Sequence, residues 1–92
     1  MLELISISKT GEQWYLNKIV LNPKHVIAIV EDSKMNTLMS EGKVELGFTN
    51  GVSFSKVKMD RISGFDEFVV IGSPTQILEK VNKTNNKQLL KG

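Results

Sequence analysis

The sequence predicts a β-rich α+β fold: about six short, mostly antiparallel strands in a twisted sheet or small open barrel, followed by one C-terminal helix. Three observations predict it. Short runs rich in isoleucine, valine, leucine and aromatics recur along the chain, bounded by glycine, asparagine or proline. The stretch "GKVELGFTNGVSFSKVKM", Gly42 to Met59, reads as two strands joined at Asn50-Gly51. Ser73-Pro74, with Gln76 behind them, is the clearest helix start.

Leu2 to Ser8 is rich in isoleucine and leucine and ends at the turn Lys9-Thr10-Gly11-Glu12. Gln13 to Val20 reads as a second strand. Leu21-Asn22-Pro23 stops it, because proline has no N–H to donate and restricts the residue before it. His25 to Glu31, "HVIAIVE", is β-branched and almost continuously apolar, the composition of a central strand buried on both faces. Asp32 to Glu41, "DSKMNTLMSE", has no strand period. It reads as a loop in which Met35, Leu38 and Met39 form one short helical turn against the domain.

Val44, Leu46 and Phe48 then alternate with polar residues or glycine, as do Val52 and Phe54 beyond the turn. A three-residue loop, Thr49-Asn50-Gly51, would pair Phe48 with Val52 and Leu46 with Phe54 and keep the apolar faces together. The step from Phe54 to Val57 and Met59 is odd, so a bulge near Ser55-Lys56 is expected to restore the phase. Asp60 to Gly64 connects to a further strand, Glu67 to Ile71. In the helix that follows, Ser73 caps, Pro74 takes the first helical position, and Ile77, Leu78 and Val81 form the packing face. The helix is expected to weaken after Asn82. Residues 1–83 therefore read as one small domain, and 84–92 as a polar, lysine-containing tail whose composition permits disorder.

Several of these pieces occur in the same order in a known family. Gly11, Tyr15, Leu16 and Asn17, then Ile27 to Glu31, then Leu46 to Phe54, then Ser73 to Val81 resemble the small FlbD-type (SwrD-type) flagellar and swarming-motility proteins. Those have a glycine–aromatic–leucine–asparagine opening, an isoleucine-rich strand ending in glutamate, an Asn-Gly hairpin and a serine-led helix. This chain differs by an N-terminal strand, a longer segment at Asp32 to Glu41 and an inserted strand before the helix. The resemblance implies a non-enzymatic role associated with the flagellar motor, and it assigns no role to any single residue.

Composition narrows the chemistry. The chain has 92 residues, no cysteine and one histidine. That removes disulfides, thiolate metal sites, a cysteine nucleophile and any two-histidine metal site. His25 begins an apolar strand after a proline turn, the place of a strand-end polar residue rather than a general base. Asp66 and Glu67 are adjacent, so in a strand they point to opposite faces and do not form an acid–base couple. No serine elbow, dinucleotide fingerprint or phosphate loop is present. No enzyme activity, cofactor, metal or small-molecule substrate is expected. No apolar run approaches the roughly 18 residues of a membrane span. The N-terminus lacks a basic leader, so the expected location is the cytoplasm or a complex assembled inside the cell.

The remaining function class is binding. A small β-rich domain has free strand edges and a thin core, and both favour pairing with copies or partners. The expected role is a protein-interaction or structural module, a homo-oligomer or a subunit of a larger assembly such as a cellular machine or a virus particle. Candidate protein contacts are Trp14, Tyr15, Met35, Leu38 and Met39, with Leu89-Leu90 in the tail. The alternative is a small nucleic-acid-binding regulator. The net charge is only +2, but Lys56, Lys58 and Arg61 lie close together, and Lys80, Lys83 and Lys87 recur at helical spacing. Against that, lysines on an edge strand commonly just discourage aggregation.

Overall fold

Two hairpins and a short crossover build the sheet. The computed structural model describes residues 1–44 and 52–91, with side chains through Thr84. Strands β1 (Leu2–Thr10) and β2 (Gln13–Leu21) are joined through Gly11-Glu12. Gly11 has φ +61° while Glu12 does not enter the positive region, which is the pattern of a type II′ turn. A 3-10 turn, Pro23–His25, leads into β3 (Val26–Glu31). The Asn22 side chain caps this turn by accepting from the Lys24 N–H at 3.0 Å. Helix α1 (Ser33–Ser40) follows, then β4 (Phe54–Arg61), β5 (Gly64–Ile71) and helix α2 (Pro74–Lys91).

The described strands form one open sheet in the order β2-β1-β5-β4-β3, antiparallel throughout. The edge strands β2 and β3 therefore run parallel to each other. In a flat sheet they would lie about 19 Å apart, with their joined ends offset by about 30 Å more along the strands. The link from Leu21 to Val26 reaches at most about 18 Å. The sheet must therefore curl strongly, bringing the end of β2 towards the start of β3. Ile19, Leu21 and Val26 pack against one cluster on the inner face, as that curl requires.

Both sheet faces are buried, but at different places. On the inner face Leu2, Leu4, Val57, Met59 and Val70 meet Ile77 and Val81 of α2. On the outer face Ile7 and Phe54 meet Met35 of α1 and Val44, with Trp14, Leu38, Met39, Val69 and Ile71 around them. This explains the odd step after Phe54. No bulge lies at Ser55-Lys56: the β4–β5 register is continuous from Phe54 to Arg61. Phe54 simply faces outward under α1 while Val57 and Met59 face inward under α2. The register shift falls instead between Val26 and Ala28 in the β3–β4 pair. Ser55, fully buried on the inner face, donates its hydroxyl to the Gly72 carbonyl at 2.7 Å. Gly72 has φ +128°, a conformation that lets the chain leave β5 for α2.

Two further expectations are corrected. The segment read as a loop with one helical turn is an eight-residue helix. Asp32 is its N-cap, accepting from the Met35 N–H at 3.0 Å, and the 35, 38, 39 spacing puts three apolar side chains on the sheet side. The strand read as central, β3, is an edge strand: its inner residues lie under α2, while Ile27 and Val30 are exposed. The C-terminal helix, α2, spans Pro74–Lys91, past Asn82, and within it Thr84 donates its hydroxyl to the Lys80 carbonyl. Five of the six expected strands are present. The other, with the Asn50-Gly51 turn and its three-residue loop, falls largely outside the described residues.

Candidate protein-interaction surfaces

The residues singled out from the sequence separate into distinct places. Met35 is buried, and Leu38 and Met39 are half-buried against the outer-face cluster, so these three hold α1 to the sheet. Trp14 packs against the same cluster, with the Lys9 ammonium 5.2 Å from its ring centre. Tyr15, its neighbour on β2, is exposed on the opposite face and donates its hydroxyl to Gln13 Oε1 at 2.7 Å. The side chains of Leu89 and Leu90 lie outside the described residues.

The basic residues do not converge. Lys56 and Lys58 sit on β4, between β5 and β3, so they guard no edge. On the outer face Lys56 reaches Glu67 at 3.8 Å, and Lys58 lies 5.3 Å over the Phe65 ring. Arg61 projects to the other face and meets Asp66 at 3.3 Å. Asp66 and Glu67 thus serve opposite faces. Lys80 and Lys83 are exposed on α2, and the Lys87 side chain lies outside the described residues. His25 Nδ1 lies 2.9 Å from Asp60 Oδ1, with both side chains more than half exposed. Among the described residues no group of three histidine, aspartate or glutamate side chains could hold a metal ion.

Two surfaces stand out instead, and both are sheet edges. The first is β2. Its nine residues contain no proline, and its pairing with β1 is unbroken from Gln13 to Leu21. Beside a two-residue turn the flanking pair, Thr10 and Gln13, exchanges hydrogen bonds, and the pattern then alternates. The Asn17 carbonyl accordingly points to β1, where it also accepts from Ser6 Oγ at 3.2 Å. The N–H and C=O groups of Trp14, Leu16, Lys18 and Val20 therefore point away from the sheet. Next to this edge, on the outer face, lie Ile5, Leu16 and Val20, exposed by 46%, 37% and 52%. The one lysine, Lys18, is drawn to Glu3 at 3.6 Å.

The second surface is the β3 edge. It borders a groove of about 450 Å³ whose far wall is the start of α2. Pattern alone does not reveal it, because an almost continuous apolar run has the composition of a central strand, whereas β3 lies at the edge. The signal was present in the spacing: Val26 and Ile29 are needed inside, which leaves Ile27 and Val30 without a place in the core.

No helix among the described residues is long and apolar enough to cross a membrane. Compared with known protein families, with curated proteins and with solved structures, the chain matches none.

Proposed function

We propose that this protein is a non-enzymatic interaction module that associates with copies of itself through β2. The observation that carries the reading is the β2 edge. Natural sheets blunt an edge by shortening it, by placing proline, charge or a bulge on it, or by covering it. Strand β2 is long, regular and free of proline, and its single lysine is held by Glu3. An apolar strip, Ile5-Leu16-Val20, adjoins it.

A second copy is the simplest partner for such an edge. Two β2 strands related by a two-fold axis at Asn17 pair antiparallel, with Leu16 opposite Lys18 and Trp14 opposite Val20 of the other copy. The outward-pointing backbone groups then meet each other on both sides. The two apolar strips lie side by side on one face of the extended sheet.

The spread of the cations over both faces and α2, with Lys56 and Arg61 each beside a carboxylate, argues against a phosphate-tracking groove. The test is the solution mass of the wild-type chain and of Val20→Lys, a substitution at an exposed edge position that leaves the core intact. The wild type is expected as a dimer and Val20→Lys as a monomer with unchanged secondary structure. A monomeric wild type at all concentrations would overturn the proposal.

A further inference from the structure

We propose that the groove between β3 and α2 is a separate binding site, shaped to take an extended segment of a partner protein as an added strand on β3. The phase of the β3 ladder comes from one bond. The Asp32 N–H donates to the Phe54 carbonyl at 3.0 Å, so Asp32 is turned towards β4, and two and four residues back Val30 and Ala28 exchange hydrogen bonds with it. The N–H and C=O groups of Ile29 and Glu31 then face away from the sheet. At the register shift, β3 carries one extra residue, Ile27, whose side chain is 57% exposed.

Alongside this edge runs the first part of α2, presenting Pro74, Thr75 and Leu78, the last 49% exposed. Val26, Ile29 and Val81 lie between. The volume, about 450 Å³, falls within the range of ligand clefts.

The walls are apolar, but one rim is a row of backbone donors and acceptors. A small apolar ligand or a docked helix would cover those groups without pairing them, at a cost in free energy. An extended backbone pairs them and sends alternate side chains towards α2. Charge sets direction. Lys24 precedes β3 and Glu31 ends it. An antiparallel segment with a basic residue near its N-terminus, an acidic residue near its C-terminus and aliphatic residues at alternate positions between them meets both. The chain's own β2 does not fit this description. Glu12 precedes it, and antiparallel docking would set Glu12 beside Glu31.

The experiment is selection of a displayed random peptide library on the full chain. The enriched sequence is then synthesised, its Kd measured by fluorescence anisotropy, and amide exchange compared with and without it. The expected peptides alternate aliphatic residues in the stated polarity, and they slow exchange at Ile29 and Glu31. Leu78→Glu and Ile27→Glu should each weaken binding about tenfold or more. Both side chains are exposed, and if one variant folds poorly the other carries the test. Val20→Lys should leave Kd within about twofold, so failure here leaves the β2 reading standing. The proposal is overturned if no peptide is enriched, if protection appears away from β3, if Leu78→Glu and Ile27→Glu bind as tightly as wild type, or if a second copy of the chain protects Ile29 and Glu31.

Discussion

Phe54→Ala tests the two-sided core. Phe54 has no exposed surface and sits at the centre of the outer-face cluster, between Ile7 of β1, Met35 of α1 and Val44. Its backbone is held independently. The N–H donates to Asn36 Oδ1 at 2.7 Å, and the carbonyl accepts from Asp32. Truncation therefore removes the ring alone and leaves a cavity under α1. Such a change costs about 3–5 kcal/mol. A domain of 92 residues is stable by about 5–14 kcal/mol, so at least about a fifth of that is lost. The corresponding fall in Tm is about 12–40 °C. The assay is urea unfolding followed by the fluorescence of Trp14, which borders the same cluster and is the only tryptophan. Phe65→Ala is the matched control. Phe65 lies on the same face, 51% exposed, and its loss should cost no more than about 1 kcal/mol. A loss below about 1 kcal/mol for Phe54→Ala would refute the outer core and return Phe54 to the face of Val57 and Met59.

Three smaller predictions follow from single contacts. Asn36→Ala leaves the Phe54 N–H without its partner where β3 has ended, and should cost about 1–3 kcal/mol in urea. No shift of the urea midpoint would mean that the bond is not formed in solution. Ser73→Ala breaks one half of a reciprocal box, in which Ser73 Oγ accepts from the Gln76 N–H at 3.2 Å and Gln76 Oε1 from the Ser73 N–H at 2.9 Å. It should lower stability by about 1 kcal/mol, and Gln76→Ala added to it should cost less than the two single losses combined. Lys56→Glu with Lys58→Glu should cost about 1 kcal/mol by setting two glutamates near Glu67, with no effect on retention by single-stranded DNA. Salt-sensitive binding that disappears in the double variant would move these lysines from structure to function.

Most of the strands were legible because their local rules agreed with the tertiary arrangement. Gly11 in a tight turn, Asn22-Pro23 between strands and the Ser73-Pro74-Gln76 helix start each act within a few residues, so the sequence alone locates them. The misreadings in β4 and β3 share one cause. A period-2 pattern assumes that one face of a strand is buried along its whole length. In β4 the buried face changes between Phe54 and Val57, because α1 covers one end of the outer face and α2 the inner one. In β3 an apolar run reflects a covered inner face plus exposed Ile27 and Val30, not a central position. For helix α1 the sequence indicates only one turn, although Asp32 is a good cap and Met35, Leu38 and Met39 have helical spacing. Its eight residues are too few for the pattern to stand out against a loop. The edges were harder still, since which strand lies outermost depends on pairings distant in sequence, such as Ser6 with Val70.

The position of Lys56 and Lys58 shows how far this matters for function. Read as residues of an edge strand, they protect a border. Placed on β4, one approaches Glu67 and the other covers Phe65, and the borders belong to β2 and β3. Of the sequence candidates on β2, Trp14 packs on the outer-face cluster and Tyr15 is exposed, while the outward-facing backbone of β2 and the strip formed by Ile5 of β1 with Leu16 and Val20 of β2 present a larger surface.

The central claim is that β2 is an interface. The most direct measurement is the mass in solution by light scattering, over a range of concentration and at low and high salt, for wild type and Val20→Lys. A mass of about twice the 10.3 kDa chain, insensitive to salt and nuclease and reduced to 10.3 kDa in Val20→Lys, is the predicted result. A wild-type monomer throughout, or an oligomer that Val20→Lys leaves intact, would contradict it.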